Sequence, residues 1–309
     1  MLKRFICPDG EEVEIKECLK NNGCRIGKRC LSHATLTKLG EAREWKGTPS
    51  TTQLIKGTME AFLEITEDYA EDPNNMMFKL LGTTVHAGLE QYEFAGASME
   101  GQLAYVTKDG ISMIPDLLET EDDWNILTDY KVSGSYKIAK ALGIYAVLEE
   151  GNETYKRKTK IIDPETGDQI ERLKGQKKLV KVWKRNIQRQ DCADWIKQVN
   201  YYRMGIEEKE GIHIHEMRIQ AIVRDGGLQI ATTRGLDKNA YLIPIPKVDD
   251  KTIRKYFISK RDTLWKVLQG KIKPEICNED ERWQNNKCER YCSVKQFCPH
   301  GKEEKWIKN

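Results

Sequence analysis

The sequence predicts an α/β fold with cysteine-rich appendages at both ends, and three observations carry that prediction. Short apolar runs rich in β-branched residues, at 110–114 and 125–128, read as strands, whereas other stretches space their apolar residues for helices. Eight of the nine cysteines lie near the termini: Cys7, Cys18, Cys24 and Cys30, then Cys277, Cys288, Cys292 and Cys298, with only Cys192 between them. At 309 residues, 39% hydrophobic and 32% charged, the chain is long enough to bury one substantial core plus small appendages.

The expected organisation is a cysteine-rich module at 1–48, a core at 49–275 with a basic insertion at 151–190, and a cysteine-bearing cap at 276–309. In the first module a Pro-Asp-Gly turn follows Cys7 and a basic stretch precedes Cys30. The gaps between its cysteines fit no C-x2-C pair, so a small zinc-stabilised module competes with the reading that some of these thiols are simply buried. Residues 50–69 read as one helix, capped by Ser50 or Thr51, with Leu54, Met59, Phe62 and Leu63 at near-helical spacing. Residues 81–90 read as a second, with Val85 and Leu89 on its apolar face and His86 and Glu90 a turn apart.

Next comes an antiparallel hairpin whose strands, 110–114 and 125–128, flank an acidic turn at 119–123. A helix at 136–149 turns Ala139, Leu142, Ala146 and Val147 inward, and a further one covers 195–203. The alternation in 214–224 predicts a strand that buries Met217, Ile219 and Ala221, with Asp225-Gly226-Gly227 as its turn. A Lys- and Arg-rich helix at 249–269 leads into the cap.

Charge is unevenly spread. Residues 155–190 hold twelve Lys and Arg against four Asp and Glu, an excess of +8 that leaves −5 for the rest of a chain whose total is +3. With Tyr155 and Trp183 among those charges, the segment suits a phosphate backbone; a solvated hairpin around residues 163–167 is the plainer reading. No apolar run reaches the length of a membrane span, and the first ten residues lack the apolar core of a signal peptide. The expectation is a protein of the cytoplasm with no membrane partner, whose cysteines are thiolates or metal ligands rather than disulfides.

The hairpin carries the chemistry. It delivers Asp116 and the trio Asp129-Tyr130-Lys131 to one end, and strand alternation puts Asp129 and Lys131 on the same face. Two carboxylates, a carbonyl and an imidazole suit a hard cation such as Mg²⁺ or Mn²⁺, beside which a lysine can orient or deprotonate water. Asp-x-Lys alone is more often part of a solvated surface, and a lone histidine such as His86 is more often an ordinary core or surface residue. Gln198 and Tyr202, spaced i and i+4, present an amide and a phenol able to grip a phosphate or a base edge. In the cap, Cys288-x3-Cys292-x5-Cys298 forms short loops that let several thiolates converge on one metal or cluster.

The order Gly82-x3-His86, Glu100, Pro115-Asp116, Asp129-Tyr130-Lys131, Gln198-x3-Tyr202 resembles the RecB-type branch of the PD-(D/E)XK nuclease superfamily, which includes CRISPR-associated nucleases and phage-borne exonucleases. The likeness covers residues 50–298. It implies a restriction-endonuclease-like core, a mixed central sheet flanked by helices. It also implies His86, Asp116, Asp129 and the Tyr130 carbonyl as metal ligands, Lys131 as the catalytic lysine, Gln198 and Tyr202 as DNA contacts and Glu100 as support.

The implied activity is a metal-dependent DNA exonuclease of phage-type recombination or DNA end processing, acting in a bacterial or phage-infected cell and leaving a 5′-phosphate. The implied partner is a single-strand annealing protein. A CRISPR spacer-acquisition nuclease, partnered by an integrase, and an inactive DNA-binding scaffold are the alternatives, with homo-oligomer formation left open. Relatives often carry an iron–sulfur cluster whose first cysteine precedes the core. That position falls near Gly57, where this chain has no cysteine. Cys277, Cys288, Cys292 and Cys298 are therefore expected to hold a [4Fe–4S] cluster, with Zn²⁺ as the competitor; alternatively Cys30 completes the set and Cys277 stays outside.

Overall fold

The computed structural model describes residues 1–21, 24–41, 44–91, 97–99 and 103–302. Its first half forms β1 (Leu2–Ile6), β2 (Glu12–Glu14), α1 (Ile15–Cys18), α2 (His33–Gly40), α3 (Thr51–Ile55), α4 (Thr58–Thr66), β3 (Tyr69–Glu71), α5 (Met77–Leu89), β4 (Ala97–Met99), β5 (Tyr105–Val106) and β6 (Ser112–Met113). There follow β7 (Leu117–Glu121), β8 (Trp124–Ser133), α6 (Ser135–Ala141), β9 (Ile144–Thr154), β10 (Thr159–Ile162), β11 (Gln169–Arg172) and β12 (Lys177–Arg185). The chain continues with α7 (Ala193–Glu210), β13 (Glu216–Val223), α8 (Gln229–Thr233), β14 (Ala240–Pro244), α9 (Asp250–Leu268) and α10 (Asn286–Arg290). The result is a mixed α/β architecture with helices around mixed sheets. No helix among the described residues is long and apolar enough to cross a membrane.

Two compact units emerge, and neither is continuous in sequence. The first comprises Met1–Leu117, Asn200–His213 and Val248–Asn309; the second comprises Leu118–Val199 and Ile214–Lys247.

In the first unit β1 lies antiparallel to β2 and parallel to β3, over a small core of Leu2, Phe5, Cys18, Leu36, Leu39 and Met76. Its larger core joins Leu54 and Ala61 to Tyr201, Met204, Ile253, Phe257 and Leu264. Ser50 caps α3 as expected, in a reciprocal arrangement. Its hydroxyl accepts from the Gln53 N–H at 3.2 Å, while the Gln53 side chain accepts from the Ser50 N–H at 2.9 Å. The single helix expected at 50–69 is broken, however. Lys56 and Gly57 are extended, with ψ of 165° and 141°, and α4 starts afresh. The break brings Gly57 against Cys277, where an added Cβ would collide with the thiol.

In the second unit four strands run in the order β14-β13-β8-β7, with β13 parallel to β8 and antiparallel to β14. β13 buries Met217, Ile219, Ala221 and Val223 in strict alternation, as its sequence predicts. The hairpin differs from expectation. The neighbour of β8 is Leu117–Glu121, and the turn is only Asp122-Asp123, both left-handed with φ of 48° and 66°. Glu119 thus belongs to a strand, because Arg218 reaches its carboxylate at 2.7 Å. Residues 112–113 instead pair with 105–106, and Pro115, which has no N–H to give a ladder, separates them from β7.

A second difference follows α6. The helix expected at 136–149 stops at Ala141; Gly143 turns left-handed at φ +70°, and 144–154 become a strand. Ile144, Tyr145, Ala146 and Val147 pair antiparallel with residues 182–185 of β12. Between these long strands sits the hairpin β10–β11, so the basic insertion is a β-arm. One face of β12 carries Lys178 and Lys184, each 2.6 Å from a glutamate, Glu153 and Glu149. Strand alternation puts Lys181, Trp183 and Arg185 on the other face, with the Lys181 ammonium 5.7 Å from the Trp183 ring centre.

Candidate active site

Asp129 sits in the central strand β8, with β13 alongside in the register Asp129↔Ile219 and Lys131↔Ala221. Five consecutive residues of β8, from Ile126 to Tyr130, are buried, as befits a strand covered on both faces. Asp129 itself is only 2% exposed. Lys131, two positions on and therefore on the same face, brings its ammonium to 2.5 Å from Asp129 Oδ2. From α7, Gln198 Nε2 donates to Asp129 Oδ1 at 3.4 Å. Tyr130 is also buried, on the opposite face of the strand.

The first unit holds the other candidates. His86 projects from α5, and its Nδ1 lies 3.2 Å from Oδ1 of the buried Asp116. Tyr202 is buried, on the part of α7 that belongs to this unit. Glu100 lies outside the described residues.

None of the nine cysteines is in a disulfide. Cys277, Cys288, Cys292 and Cys298 line one cavity of about 20 Å³, walled by Met59, Leu63 and Val294. Cys30 does not line it; the fourth thiol comes from Cys277, which occupies the space that Gly57 leaves. Burial pushes Cys292 up to about 12, and the neighbouring Glu60 and Cys288 add to the effect. Burial likewise raises Cys277 and Cys288. Thiols held in apolar walls resist ionisation, and a cation among them reverses that preference, so the donor set fits a soft metal centre. As the side chains stand, no three His, Cys, Asp or Glu among the described residues converge on one ion position.

Sequence reasoning passed over Glu60 at this cavity and the fit between Gly57 and Cys277. Gly57 admits Cys277, and the buried Glu60 pairs with Lys287 at 2.5 Å. Only the helical spacing of Met59, Glu60 and Leu63 hinted that Glu60 faces inward. At the other end, Cys7 follows β1, Cys18 ends α1, and Cys24 and Cys30 lie between α1 and α2. Cys192 is buried, just before α7.

No protein-family model matches the chain, and no curated protein matches it. Among solved structures the chain is similar to the crystal structure of SSO0001, with a TM-score of 0.42 and 13% identity over 87% of this chain and 95% of that one. A likeness that weak carries no argument about activity.

Proposed function

We propose that this chain is a metal-dependent DNA nuclease of the PD-(D/E)XK type, working as an exonuclease. The observation that carries the reading is the surroundings of Asp129, a buried carboxylate with a lysine on one oxygen and an amide on the other. When bound, Mg²⁺ or Mn²⁺ would polarise the scissile phosphate and lower the pKa of a water. Asp129 and Asp116 would hold that ion, with His86 and the Tyr130 carbonyl adding ligands. Lys131 would swing from the carboxylate to orient the attacking water or take its proton. Gln198 holds the Asp129 carboxylate in one rotation and, with Tyr202, would contact DNA. That Asp116 and Asp129 serve one reaction rests on the order of the motifs along the chain.

Four thiols around one cavity support a metal centre at residues 277–298. A [4Fe–4S] cluster and Zn²⁺ both suit four thiolates. The cavity has room for about one water-sized body, so a cluster requires its walls to part and a single zinc far less.

A second reading, a DNA-binding scaffold, draws on the same ion pair, because Lys131 already neutralises Asp129. Labelled linear DNA incubated with Mn²⁺ separates the two. A nuclease loses about 10²-fold or more in rate with Asp129→Ala or Lys131→Ala and leaves 5′-phosphate ends. Equal rates for wild type and both variants would establish the scaffold.

A further inference from the structure

Cys7 and Cys24 open the same kind of tight turn. In residues 7–10 the Gly10 N–H donates to the Cys7 carbonyl at 2.8 Å, and in 24–27 the Gly27 N–H donates to the Cys24 carbonyl at 3.0 Å. Both closing glycines are left-handed, with φ of +87° and +79°, a conformation that other residues adopt only with strain. Each Cys-x-x-Gly is thus a short, stiff loop that presents its leading thiol.

The other two thiols lie nearby. Cys18 ends α1 and packs into the small core beside Leu2 and Phe5. The Arg25 guanidinium, next to Cys24, pairs with Asp9 in the Cys7 turn, and Arg29, next to Cys30, donates to the carbonyl of Lys20, two residues past Cys18. These contacts bring the three pieces of chain that carry the four thiols into one neighbourhood.

The chain between α1 and α2, which supplies Cys24 and Cys30, has neither helix nor strand among its described residues. Among its described residues it adds the partly buried Leu19 and Leu31 to the core, and Ile26 is 43% exposed. Among its described residues the side-chain anchors include the Arg25–Asp9 pair, Arg29 donating to the Lys20 carbonyl at 2.7 Å, and the His33 ring against the Leu19 carbonyl at 2.8 Å. Fixing irregular backbone costs about 1–2 kcal/mol per residue, against about 1 kcal/mol net for each such hydrogen bond. A group that ties its thiols together would offset part of that cost.

We propose that Cys7, Cys18, Cys24 and Cys30 bind one structural zinc ion. Four sulfur ligands with no open position are the signature of a closed, structural site. On binding, each thiol releases its proton to solvent and no electrons move, so the centre carries a formal charge of about −2. Arg25, Lys28 and Arg29 provide compensating charge within the same loop, and Arg25 already pairs with Asp9 in the Cys7 turn. As the side chains stand, no three of these thiols converge on one ion position, so zinc binding requires them to reorient.

The proposal is independent of the nuclease reading, and its test uses no DNA. Zinc is measured per full-length chain for wild type, Cys24→Ser/Cys30→Ser and Cys192→Ser, after dialysis against a weak chelator. The double variant should lose about one equivalent while Cys192→Ser loses none. Unchanged zinc in a folded double variant overturns the proposal. Should that variant fail to fold, the wild type decides. Cys30, exposed as a bare thiol, should alkylate slowly until a strong chelator is added and several-fold faster afterwards; equal rates with and without chelator overturn the proposal.

Discussion

Asp129 is kept almost wholly out of water, and a lone carboxylate there would lose several kcal/mol of hydration. Lys131 and Gln198 offset that loss at opposite oxygens and fix the carboxylate's orientation. At Cys292 the balance runs the other way. Burial first, then Glu60 and Cys288, raise its pKa to about 12, so the metal-free fold binds a proton there that the unfolded chain gives up near its ordinary value of 9.0. Stability of the metal-free protein is accordingly unaffected below that value and falls as pH rises from 9.0 towards 12. A loaded centre, already thiolate, should lack this decline. Denaturant titrations at pH 8 and about pH 10.5, with and without chelator, should show the fall only in the chelated sample. Anaerobic purification adds the identity of the metal, since a brown protein indicates iron–sulfur and a colourless, zinc-containing one indicates zinc.

α6 shows how an element can be secured from outside itself. Its N-cap, Gly134, has no side chain to offer, yet Asp225 accepts from the Ser135 N–H at 2.6 Å and from its hydroxyl at 2.5 Å. Arg234 completes the cluster by donating to the Ser135 hydroxyl at 2.6 Å. Burial alone would raise the Asp225 carboxyl, but the two Ser135 donors outweigh it and hold the group below the usual carboxylate range. A depressed carboxylate stabilises the fold above its ordinary pKa, and that contribution disappears as pH falls through the lowered one. Asp225→Ala should therefore cost about 1–2 kcal/mol at neutral pH, as loss of a helix cap does, and progressively less in acid. Urea titrations at pH 7 and about pH 3 measure both; an equal loss at the two values would contradict the linkage.

For the molecule as a whole, the proposed DNA contact can be tested on the β-arm. Lys181 and Arg185 enter no ion pair within 4 Å among the described residues, and Trp183 lies between them. Lys178 and Lys184, on the opposite face, are neutralised by Glu153 and Glu149. If the arm tracks a phosphate backbone, Lys181→Glu/Arg185→Glu should weaken DNA binding at every sequence tested. It should also flatten the slope of log affinity against log salt by about 0.7–0.9 per lost phosphate contact. Lys178→Glu/Lys184→Glu should do less, and fluorescence anisotropy over a salt series distinguishes the faces.

What the sequence determined by itself is what neighbouring residues encode: the Ser50 cap, the alternation of β13, the helix behind Asp249, and a shared face for Asp129 and Lys131. Periodicity and capping depend on partners within a few positions, so a linear reading reaches them. Tertiary structure decided the rest. Acidic 117–121 is a strand because Arg218 neutralises Glu119, and 144–154 leave the helix because β12 offers them a ladder. Cys277, rather than Cys30, joins the C-terminal thiols because α3 and α4 part at Gly57. In each case the deciding partner lies tens to hundreds of residues away, and only the folded chain brings its charge, hydrogen bonds or volume to bear.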